Sequence, residues 1–189
     1  MIERFSHWLR AVSTGWVTLA SLVIFIFFSA LVLPGQSTAA DGVAGDAGSP
    51  DTSFIYSPGD LYRMAEAYGE EGRRAYVRAR FTFDVLWPVV YTLFLVTAIS
   101  WLFGKAFAPE SRWHRANLLP VLGAVFDYVE NISTSIVMLR YPEATAVVDL
   151  LAPVATGLKW LSLGVSFVLV ATGAVIAVWR WVQHRQRPS

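Results

Sequence analysis

The chain alternates long apolar runs with short polar breaks. From about Trp16 to Leu33 it is almost unbroken apolar, long enough to cross a bilayer, and Pro34-Gly35 ends the run. Similar stretches lie at about 81–103, 117–140 and 153–182, so four membrane spans are expected, the first at about 16–34. Gly, Ala, Ser and Asp dominate 35–57, which reads as a flexible extramembrane loop. Ser57-Pro58-Gly59-Asp60 is a helix start: a Ser cap, Pro at the first position and an acid in the first turn. Leu61, Met64, Ala65 and Tyr68 follow at helical spacing, which predicts a short amphipathic helix over 58–69, lying on the membrane surface and ended by Gly69.

A long helix is expected from Glu70 into the second span, with Arg73, Tyr76, Arg80 and Asp84 on one face and a kink at Pro88. Tyr141-Pro142-Glu143 is read as the start of a short connecting helix to about Leu150, and Pro153 as the opening of span four. The expected fold is all-α: a four-transmembrane-helix bundle, one membrane domain over 1–189, with a surface helix in the first extracytoplasmic loop. A secretory signal peptide competes for the N-terminus. Arg4 and Arg10 would form its basic region, and Ser37-Thr38-Ala39-Ala40 resembles a cleavage site. The apolar run exceeds the usual signal core of about 7–15 residues, which favours an uncleaved span.

Composition agrees with a membrane chain: 55% of residues are hydrophobic, only 15% are charged, and mean hydropathy is +0.48. Net charge is +1, so no basic field calls for nucleic acid. Cysteine is absent, which removes thiolate chemistry and iron–sulfur ligation. His7, His114 and His184 all flank apolar runs, so neither a bis-histidine haem nor an intramembrane zinc site is expected, and no cofactor is implied. Lys and Arg concentrate at the N-terminus, in 105–115 and at the C-terminus, which places both termini in the cytoplasm of a cell with the protein in its inner (plasma) membrane. Five arginines between Arg63 and Arg80 count against that orientation.

The sharpest chemical feature is Phe126-Asp127-Tyr128-Val129-Glu130-Asn131 inside span three. An ionised group at the bilayer centre costs roughly 2.5–3.5 kcal/mol on insertion scales, and such groups usually face the bundle interior. Asp127, Glu130, Asn131 and Thr134 fall within a ~100° arc, opposite Leu122, Val125, Val129, Ile132 and Ile136. Lys159 in span four can reach Glu130 if the two helices run antiparallel from the same surface. Two carboxylates at i and i+3 in low dielectric cannot both ionise comfortably: one keeps its proton, or Lys159 offsets it.

The expected pocket is lined by Asp84, Tyr91, Asp127, Glu130, Asn131 and Lys159, with Asp84 supporting its mouth and Arg80 among the outer arginines that would serve a headgroup. Asp127 and Glu130 are the candidate acid–base pair, and Asp84, Tyr91, Asn131, Lys159 and Arg80 the candidate ligand-binding residues. Plainer roles compete. Asn131 and Thr134 also fit interhelical hydrogen bonding, Arg80 and Asp84 an interfacial ion pair, Lys159 a snorkelling lysine, and Arg73, Arg74, Arg78 and Arg80 contacts to lipid phosphate.

The pattern Ala67-Tyr68-Gly69-Glu70-Glu71-Gly72-Arg73, then Tyr76, Asp84, Pro88 and Tyr91, then Phe126 to Asn131, then Tyr141-Pro142 and Lys159-Trp160, resembles a group of small bacterial four-span integral membrane proteins. The resemblance covers about 55–165 and implies a bacterial four-span protein, with no activity to transfer. In architecture, but not in motif, the plan is also similar to the sterol-isomerase-like membrane fold. Three functions fit: binding or handling of a membrane lipid or other amphiphile; an intramembrane hydrolase or isomerase using Asp127 and Glu130; or an assembly subunit whose polar face docks a partner membrane protein.

Overall fold

A computed structural model describes residues 1–32, 34, 48–50 and 53–186. Most of the expected 35–57 loop lies outside the described residues. Among them six helices follow in order: α1 Ile2–Val12, α2 Gly15–Phe27 with a π-turn Phe28–Val32, α3 Pro58–Arg80, α4 Phe83–Ala106, α5 Leu119–Arg140 and α6 Val148–Gln186. A 3-10 segment, Arg112–Leu118, leads into α5. No strand occurs among the described residues. Four stretches, Gly15–Val32, Gly69–Ala106, Arg112–Arg140 and Val148–Gln183, are long and apolar enough to span. The protein is an all-α, four-span, multi-pass membrane protein.

The residues group into two compact units. The first comprises Met1–Phe25, Val90–Leu122 and Ser162–Ser189. In it α2 meets α4 through polar and aromatic contacts. Ser21 Oγ and Thr97 Oγ1 share a hydrogen bond of 2.7 Å, and Phe25 stacks on Phe94 at 4.9 Å. Asn117, fully buried, donates to the Ser6 carbonyl and to Ser100 Oγ, and accepts from Ser6 Oγ. Asn117 thereby pins α1 and α4 to the 3-10 segment. Gly173 lets α6 approach α4 closely, since a Cβ there would lie 3.0 Å from the Phe103 ring.

The second unit comprises Ile26–Val89 and Gly123–Leu161. Ser57 caps α3 in a capping box with Asp60, closing the helix start as the sequence implies. The Ser57 hydroxyl and backbone N–H both donate to the Asp60 carboxylate, and with Arg63 beside it they hold that carboxyl below its ordinary range.

Several expectations change. The apolar stripe Leu61, Met64, Ala65 and Tyr68 does not lie open on a membrane surface. It packs against Val137, Met138 and Ala152 of α5 and α6. Gly69 breaks α3 at φ 62°, ψ −178°, a conformation nearly confined to glycine, and helix resumes at once. The expected continuous helix from Glu70 is interrupted again at Phe81–Thr82, so α4 begins at Phe83. No helix forms over 141–147; turns fill it, and α6 starts at Val148 and runs through Pro153. The described end of the expected loop is tied down. Tyr68 donates to the Gly48 carbonyl, Thr156 to Tyr56 Oη, and Phe54 packs on Trp160 at 4.7 Å.

Candidate functional site

The candidate site is built inside the second unit by the middle of α5 and the first half of α6. The outward face of α5 is apolar: Val125 and Ile132 are half exposed. Its inward face buries Asp127, Glu130, Asn131, Thr134 and Ser135. Helix α6 starts at Val148, so Lys159 lies about 16 Å along it, level with Glu130, about 15 Å from the end of α5 at Arg140.

Lys159 Nζ forms an ion pair with Glu130 Oε2 and stands 3.8 Å from Asp127 Oδ1. The three are 5%, 0% and 7% exposed. One ammonium is therefore shared between two carboxylates one turn apart, an arrangement that offsets part of the repulsion between them. Asn131 Nδ2 donates to Asp127 Oδ1 at 3.4 Å and steadies that carboxylate. The Lys159 ammonium also lies 5.4 Å from the centre of the Trp160 ring, within cation–π reach.

A second pair, with its arginine buried, stands where α3 meets α4. Arg80 Nη1 is 2.9 Å from Asp84 Oδ2 across the Phe81–Thr82 break, and its guanidinium covers the Tyr76 ring at 4.6 Å. Arg80 is only 8% exposed. It is thus an internal ion-pair partner, not an outer contact for lipid phosphate. Arg73 is likewise drawn inward, donating to the Ala65 carbonyl and covering the Tyr141 ring. Tyr128 Oη donates to the Val85 carbonyl at 2.8 Å, which fastens the first turn of α4 to α5 at the level of Asp127.

Tyr91 is buried, in the first unit. Thr134 is not interhelical glue, because its hydroxyl donates to the Glu130 and Asn131 carbonyls of its own helix. Three residues on α5 and α6 escaped the sequence reading. Tyr128 gave no signal beyond its place in the motif. Ser135 sits one turn after Asn131, a spacing that could have revealed it. Its Oγ is buried without a hydrogen-bond partner among the described residues, as is Trp160 Nε1.

With all three groups ionised, Asp127, Glu130 and Lys159 carry one negative charge in excess. The cluster can take up a proton on one carboxylate, or accept a donor-rich or cationic group. Among the described residues, no three of His, Asp and Glu are placed to hold a metal ion. No family model, curated protein or solved structure matches the chain.

Proposed function

We propose that this is a bacterial inner-membrane protein that binds a membrane amphiphile by its polar head at Asp127, Glu130 and Lys159. The single observation that carries the reading is the fully buried Glu130 ion-paired to Lys159, with Asp127 beside them, within segments long enough to span. Burying such groups is costly, and packed apolar residues of similar volume usually serve stability as well or better. A task for the charges accounts for their presence.

The excess carboxylate favours a head that is cationic or rich in hydrogen-bond donors. The buried Trp160 indole N–H, on the ring beside the Lys159 ammonium, is a further polar group that could serve it. The basic N-terminus, 105–115 segment and C-terminus support cytoplasmic termini under the positive-inside rule.

Mass spectrometry of lipids that co-purify with the wild type and with Glu130→Gln tests the proposal, with folding checked by size exclusion. A molecule retained by the wild type and lost from the folded variant is expected. Identical lipid profiles from two folded proteins would refute it.

A further inference from the structure

Helix α1 is 11 residues long and buries only Ser6. Isolated helices of that length are marginal in water, so packing must stabilise it. The protein supplies little of that packing. Ser6 and Asn117 clamp one edge, Glu3 pairs with Arg115, and Arg10 donates to the Pro109 carbonyl. Ile2, Phe5, Leu9 and Val12 share one face, and Ile2, Phe5 and Val12 are 69%, 44% and 44% exposed. Trp8, 57% exposed, stacks with Phe5 at that face's border.

The position of α1 says what covers this face. Only Ser13 and Thr14 separate it from α2, the first span, and its clamp is the 3-10 segment that opens another span. It is therefore held at the level where spans leave the bilayer. Glu3, Arg4, His7, Trp8 and Ala11 line an open surface on its other flank. The Glu3 carboxylate is engaged by Arg115, whereas Arg4 meets no carboxylate among the described residues.

We propose that α1 is an in-plane membrane anchor: its Ile2–Phe5–Leu9–Val12 face lies in the headgroup–acyl boundary, and Arg4, beside Trp8, takes the phosphate of an anionic phospholipid. Apolar burial supplies the docking, and the guanidinium supplies preference for negative lipid. The inference is independent of the acid–lysine cluster.

The cysteine-free chain allows a clean test on the full protein. Nitroxide labels on Phe5→Cys, Val12→Cys and Glu3→Cys are compared in nanodiscs of phosphatidylcholine, with and without phosphatidylglycerol. Labels at 5 and 12 should be open to oxygen and shielded from a water-soluble nickel chelate, and the label at 3 the reverse. Phosphatidylglycerol should deepen positions 5 and 12, and Arg4→Gln should abolish that difference. Equal nickel access at all three positions would overturn the anchor. Shielding of 5 and 12 from both reagents would also overturn it, because a protein partner then covers the face. A phosphatidylglycerol effect that survives Arg4→Gln would overturn the phosphate contact.

Discussion

Replacing Lys159 by Met tests whether the acids and the lysine act as one unit. The substitution keeps volume and removes the charge that Glu130 and Asp127 share. Glu130 is fully buried, so its carboxylate loses its cation with no water to replace it. Removing one partner of a buried pair costs about 3–5 kcal/mol. For a chain of this size that corresponds to a fall of about 6–20 °C in the unfolding midpoint.

Glu130→Gln alone should cost less, because Lys159 keeps Asp127 at 3.8 Å. In the double variant the missing ammonium no longer faces the Glu130 charge, and part of the loss returns. Recovery stays incomplete because Asp127 keeps its carboxylate and has lost the Lys159 ammonium at 3.8 Å. Midpoints are read by intrinsic fluorescence in one detergent at one scan rate, since heating membrane proteins is commonly irreversible. Midpoint shifts that simply add, with no recovery in the double variant, would refute the coupling.

Other consequences are local. Gly173→Ala should destabilise by about 1–3 kcal/mol, because its Cβ meets Phe103 and Leu102 at 3.0–3.1 Å; an unchanged midpoint in the same fluorescence assay would contradict this. Gly69→Ala has open space for its methyl, so any loss comes from the backbone conformation alone, about 1–3 kcal/mol; d-alanine introduced there by semisynthesis should be better tolerated. The lowered Asp60 pKa makes its contribution present above the unfolded value of 3.8 and lost as pH falls through the lower folded value. Amide exchange at Leu61–Arg63, corrected for intrinsic rates, should therefore gain relative speed below about pH 3.8, and Asp60→Asn should flatten that response.

The spans and the polar arc of α5 were legible because both rest on patterns within one helix: length, hydropathy and the 3.6-residue period. What covers a face is not encoded that way. Leu61, Met64, Ala65 and Tyr68 look the same whether membrane or Val137 and Met138 lies against them. The break at Phe81–Thr82 falls between Arg80 and Asp84, with no Gly or Pro in it to announce it. Pro153 looked like a helix start, yet α6 admits it one turn in, where the missing N–H costs a bond only to the Asp149 carbonyl. Asn117 read as the first residue of a span, since its partner Ser6 is 111 positions away. Arg80 and Arg73 passed for interfacial cations because sequence cannot tell a guanidinium turned inward from one at a headgroup.

The binding proposal is tested most directly by a high-resolution density map of the full protein in nanodiscs of native lipid extract. It predicts an elongated molecule with its polar head in hydrogen-bond contact with Lys159, Glu130 or Asp127, absent from the same map of folded Glu130→Gln. A wild-type map in which those side chains meet only one another and water would contradict it.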